Sequence, residues 1–125
     1  MDANMTSYLS RSALVSAVDQ PVPDPSLPDR FSFTRGQTLG NGSFVWTIYQ
    51  AERDVVQVQR LDEPVSIVDS NRTATVGPHE GLLTRARGQW ILEWRCSGAT
   101  YVLYGSMNAF DRAALVDVAE SVECR

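Results

Sequence analysis

Few residues in this chain are of types that do chemistry. Its 125 residues include one histidine, two cysteines and eleven basic side chains, all of them arginine. The absence of lysine excludes Schiff-base chemistry, a lysine general base and a Walker-type phosphate loop, since each needs a primary amine. A single histidine rules out a three-histidine zinc site, and two cysteines cannot make a four-cysteine one. The one zinc set the composition allows is Cys96, Cys124, His79 and a carboxylate, and it lacks the usual ligand spacing. His79, in "GPHEG" beside Glu80, therefore reads as a solvated turn residue, and no cofactor or metal is implied.

Nucleophilic catalysis fares no better. There is no Gly-x-Ser-x-Gly elbow, and any serine triad would have to use His79. Asp62 with Glu63, and Glu52 with Asp54, are close carboxylates of the kind that fifteen acidic residues produce by chance. They read as turn and surface residues and support no glycosidase. The expectation is a protein that is not an enzyme. One group of side chains points toward binding: Arg85, Arg87 and Arg95, with Tyr104 and Ile91, fall on one outward sheet face in the strand reading below. Arginine and tyrosine are favoured at interfaces, so the functional reading of this group is a partner-binding surface or an anionic-lipid contact. The competing reading is a solvated face with Glu93 as counter-ion.

These side chains need a scaffold. A 43% hydrophobic, 21% charged composition is that of one soluble globular domain. A net charge of −4 argues against nucleic acid, which asks for a basic face. No window approaches the roughly 18 apolar residues of a membrane span, and "MDANMTSYLS" lacks a signal-peptide pattern, so an export signal or anchor would lie outside this chain. Residues 1–30 read as an N-terminal segment and connector: a short helix over Thr6 to Val18, then "DQPVPDPSLPDR", whose prolines impose an extended path. Residues 31–125 read as a single α+β domain. A curved antiparallel meander of about six or seven strands is covered by a C-terminal helix over Ala109 to Val122, with Asn108 as cap and Leu115, Val118, Ala119 and Val122 facing inward.

The most legible part is "WILEWRCSGATYVLYGS". A two-residue turn at Ser97 and Gly98 pairs Cys96 with Ala99, Trp94 with Tyr101, Leu92 with Leu103 and Trp90 with Gly105, which makes one face nearly all apolar. A "RGQ" turn before it sets Ala86, Thr84 and Leu82 beside Trp90, Leu92 and Trp94. Arg85, Arg87, Glu93, Arg95 and Thr100, with Leu83, Ile91, Val102 and Tyr104, then occupy the other face.

The order "PVPDPSLPDRFSF", strands, "GLLTRARGQWILEWRCSGATYVLYGSM" and "LVDVAESV" resembles a family of bacterial and archaeal extracytoplasmic domains of unknown function. The landmarks are Leu27, Pro28, Phe31, Gly81, Trp94, Gly98, Tyr101, Leu103, Gly105, Ala119, Glu120 and Ser121. Such domains occur in lipoproteins and beside anti-sigma factors, and their layout is similar to the C-terminal domain of periplasmic sensors of the RseB and MucB kind. The resemblance implies a cell-envelope location and a non-catalytic sensing or interaction role, with another envelope protein as partner. The family's usual Leu-Pro-Glu-Gly lead is "LPDR" here. A second reading, suggested by three tryptophans, four tyrosines and four phenylalanines, is a carrier for an apolar ligand or lipid.

Two further expectations follow. The strand after the Ser97-Gly98 turn runs about 20 Å away at roughly 3.4 Å per residue, and the closing helix returns about 20 Å at roughly 1.5 Å per residue. Cys124 is thereby brought to Cys96, so a disulfide is expected, consistent with an oxidising compartment. Three Asn-x-Ser/Thr sequons, at Asn4, Asn41 and Asn71, would matter in an exporting, glycosylating host.

Overall fold

The computed structural model describes residues 5–39 and 42–122. In chain order the elements are β1 (Met5–Tyr8), α1 (Arg11–Ala17), β2 (Ser32–Leu39), β3 (Phe44–Ala51), β4 (Asp54–Leu61), β5 (Arg72–Val76), β6 (His79–Ala86), β7 (Gln89–Cys96), β8 (Ala99–Ser106) and α2 (Arg112–Ser121). The strands form one open, curved antiparallel sheet in the order β1-β2-β3-β4-β8-β7-β6-β5, so the fold is α+β as expected.

The strand count and the topology both differ from expectation. There are eight strands among the described residues, because Met5–Tyr8 pairs along β2 instead of opening a helix. The helix starts later, capped by Ser10, whose hydroxyl accepts the N–H of Ala13 at 3.2 Å. The strands also do not form one meander. Two four-stranded meanders, β1 to β4 and β5 to β8, meet where β4 pairs with β8. The reason lies in β8: residues 99–103 are buried one after another, and a strand apolar on both sides belongs in the middle of a sheet. Residues 62–71 carry the chain from the centre of the sheet to its far edge.

One face of the sheet holds the core. Val56, Val58, Leu83, Leu92, Trp94, Tyr101 and Leu103 form a single buried cluster with Leu115, Val118, Ala119 and Val122. Those last four are the positions that helical spacing predicted. Two glycines set how near the helices come. A Cβ on Gly105 would stand 2.8 Å from Leu115 Cδ1, and one on Gly36 would stand 2.5 Å from Leu14 Cδ2.

α2 begins three residues later than expected, with Asp111 in place of Asn108 as cap, its carboxylate accepting the N–H of Ala114 at 2.8 Å. The delay has a packing cause. Phe110 is buried and stacks on Phe31 with centroids 5.7 Å apart, while Trp90 Nε1 donates to the Phe110 carbonyl at 2.9 Å. The proline-rich connector is not loose: Ser26 N–H donates to Ser121 Oγ at 2.8 Å, and Arg11 Nη2 to the Val22 carbonyl at 3.2 Å.

Candidate functional site

The Ser97-Gly98 hairpin has the register read from the sequence, including Cys96 with Ala99 and Trp94 with Tyr101. Positive φ at both turn residues, 53° and 81°, is what such a tight turn demands. The preceding turn does not have the expected register. Ala86 pairs with Gln89 across a two-residue Arg87-Gly88 turn, so Arg85 faces Trp90, Leu83 faces Leu92 and Gly81 faces Trp94. A slip of one residue sends every side chain of a strand to the opposite face.

The expected partner surface is divided by that slip. Ile91 and Tyr104 are direct cross-strand partners, and Arg95 lies on the same face. Arg85 shares the other face with Trp90, and Arg87 occupies the turn. The structure therefore leaves Arg95, Tyr104 and Ile91 on one face, with the Glu93–Val102 pair between Arg95 and the other two, and does not gather the three arginines. The phenol pKa of Tyr104 is raised, first by burial and then by the charge of Glu93.

Glu93 is no solvated counter-ion. It is 2% exposed, and its Oε1 accepts the backbone N–H groups of Ile67 and Val68, the latter at 2.9 Å. Arg95 reaches the same segment, donating to the Val65 carbonyl at 2.8 Å, with Nη2 3.8 Å from Glu93 Oε2. Thr100 Oγ1 accepts the Val65 N–H at 2.9 Å and lies 2.9 Å from the Glu63 carbonyl. Polar side chains of β7 and β8 thus pin the 62–71 crossover onto the sheet. A glutamate between Leu92 and Trp94 was the sequence signal for this, since an acid in an apolar strand must find donors.

On the core face, Arg60 is buried. Its Nε donates to Tyr101 Oη at 3.2 Å, its Nη2 lies 3.4 Å from Asp62 Oδ1, and its Nη1 makes no hydrogen bond among the described residues. Tyr101 stacks on Trp94 with centroids 5.5 Å apart. Many of the aromatic rings are thus core material. Cys96 is buried at the end of β7 in the cluster that includes Val122. Its expected partner, Cys124, lies outside the described residues, as do sequons Asn4 and Asn41; Asn71 is exposed just before β5. His79 opens β6 opposite Val76. Among the described residues, no three of His, Cys, Asp and Glu come together as a metal site would require.

A concavity lies elsewhere, where the sequence drew no attention. A groove of about 720 Å³ lies between α1 and the connector, with Ser121 of α2 at its border. Val15, Val18, Pro21 and Val22 provide apolar walls, and Arg11, Asp19 and Asp24 provide charge. Arg11 Nε stands 3.7 Å from Asp24 Oδ1 and is buried without a hydrogen bond among the described residues. The Tyr49 hydroxyl is buried unbonded as well. Its pKa is raised chiefly by burial, with Asp24 adding and with Thr47 and Arg11 drawing it back. Unsatisfied polar atoms under a mixed polar and apolar groove suit a ligand with donors and acceptors along its length.

No family model, curated protein or solved structure matches this chain.

Proposed function

We propose that this chain is a non-enzymatic interaction or sensing domain of the cell envelope, which takes a segment of another envelope protein into the groove between α1 and the connector. The observation that carries this reading is the groove itself, with apolar walls beside Arg11 and Asp24 and a volume of about 720 Å³ that suits several residues of peptide. The envelope location rests on the resemblance described above.

The test is site-specific photo-crosslinking in the native host. A photoreactive residue at Val15 is expected to trap one envelope protein, and Val18→Arg, which puts a bulky charge into the groove, is expected to abolish that product. No adduct, or an adduct insensitive to Val18→Arg, counts against groove binding. A cytosolic partner counts against the envelope.

A Cys96–Cys124 disulfide belongs to the same reading. Cys96 and Val122, two residues short of Cys124, lie in one buried cluster. Closing a loop of nearly thirty residues contributes about 3.5 kcal/mol in the chain-entropy model. Intact mass is expected to rise by two units on reduction, and free thiols in the air-oxidised protein would refute the pairing.

A further inference from the structure

We infer that the outer edge of β2 is a second binding site, which takes the C-terminal end of an extended peptide by strand addition. The juxtaposition behind this is a strand edge that no other described strand pairs, a depression with Leu9 and Ile48 in its wall, and Arg35, which makes no ion pair among the described residues.

β1 pairs only with Gly36 to Leu39, so among the described residues Ser32 to Arg35 have no strand on their outer side. Ser32, Thr34 and Arg35 are exposed, and a register shift between Phe33 and Arg35 makes Thr34 a bulge. The opposite edge of the sheet is treated differently. Arg112 of α2 donates to the Thr73 carbonyl at 2.8 Å and Glu120 accepts the Gly77 N–H at 3.0 Å, so side chains occupy the edge groups of β5 and its turn. Open edges are templates for another strand. α2 side chains occupy the opposite edge, whereas at β2 the protection is local, a bulge at Thr34 whose Oγ1 donates to the Ser32 carbonyl at 3.4 Å.

Beside the open edge lies a depression of about 340 Å³ lined by Leu9, Thr34, Arg35, Ile48 and Gln50. Leu9 is 83% exposed, a large apolar side chain held in water at the lip. Strand addition draws affinity from the backbone and specificity from such a pocket. Among the described residues Arg35 makes no ion pair.

The positive charge of Arg35 selects the chain terminus. The gap is open at Ser32 and closed beyond Arg35, where Tyr8 of β1 pairs with Gly36. A peptide lying antiparallel to β2 would bring an amino terminus to that cation, whereas one lying parallel enters at Ser32 and must stop at Tyr8, the last residue of β1. That places its carboxylate beside Arg35, whose planar fork binds carboxylate in two-point fashion, and an apolar side chain near its end over Leu9 and Ile48. None of these residues borders the α1 groove, so the site stands whether or not that groove is used.

The experiment uses random heptapeptides displayed with free C termini, panned against the purified chain. Enrichment of apolar terminal residues is expected. In fluorescence polarisation, an enriched peptide is expected to bind about tenfold tighter than its C-terminal amide, a difference of about 1.4 kcal/mol. Arg35→Ala should remove that difference, Arg35→Lys should restore part of it, Leu9→Ser should weaken both forms, and Val18→Arg should change nothing. Failure to enrich over a blank surface, equal binding of acid and amide, or loss of binding in Val18→Arg with Arg35→Ala unaffected would overturn the proposal.

Discussion

Glu93 Oε1 accepts the N–H of Val68 at 2.9 Å across the face of the sheet, joining a buried carboxylate of β7 to a loop that sequence separation leaves twenty-five residues away. That bond, with the neighbouring one to Ile67, holds down the crossover between the two meanders. Glu93→Leu leaves two N–H groups without an acceptor and is expected to cost about 3 kcal/mol, against about 1 kcal/mol for Glu93→Gln, which keeps an acceptor oxygen. Urea denaturation measures both, and hydrogen exchange at Ile67 and Val68 should quicken in the leucine variant before the rest of the sheet. Equal stabilities for the two variants would contradict the role.

Arg60 should be dispensable for stability. It is 3% exposed and leaves Nη1 unbonded, so its desolvation is only partly offset. Arg60→Met, similar in length and without charge, is expected to match the parent or exceed it by about 1 kcal/mol in thermal denaturation. A loss of more than about 2 kcal/mol would mean that its bonds to Tyr101 and Asp62 outweigh the buried charge.

Gly105 is where α2 rests on the sheet. With a Cβ there only 2.8 Å from Leu115 Cδ1, Gly105→Val is expected to destabilise by about 3 kcal/mol through overpacking. Combining it with Leu115→Ala should recover part of that loss, because the truncated side chain gives the valine room. Strict additivity of the two losses in a double-mutant cycle would show that they do not share this contact.

Stability should fall at alkaline pH. Burial raises the Tyr49 pKa above its ordinary value of 10.0, so the folded chain holds a proton that the unfolded chain releases. The stability this contributes is complete below about pH 10 and is lost as pH rises through the folded pKa. Tyrosinate absorbance should show a late-ionising phenol that titrates together with unfolding. Tyr49→Phe also removes a buried hydroxyl without a partner, so it should flatten this dependence without loss of stability at pH 7. An unchanged alkaline profile in that variant would assign the effect to another group.

What could be read without coordinates was local and periodic. The Ser97-Gly98 hairpin followed from turn chemistry and alternation, and the inward face of α2 from its spacing, because both depend on neighbours in the chain. The Arg87-Gly88 register was not decided that way: two-residue and three-residue turns both fit "RGQ", and one residue of slip moved Leu83 into the core and separated Arg85 from Arg95. Residues 5–8 carry too few side chains to distinguish strand from helix, and the free edge of β2 settled the matter.

Composition and pattern alone determined that the chain is an α+β domain with an apolar sheet face under a C-terminal helix, and excluded every reaction that needs lysine or more than one histidine. The pairing of β4 with β8, the groove beside Arg11 and the contact of Glu93 with residues 67–68 were decided only in three dimensions. Each joins segments far apart in sequence, and no local preference records which distant strand will bury a shared apolar face or supply a buried acid with its donors.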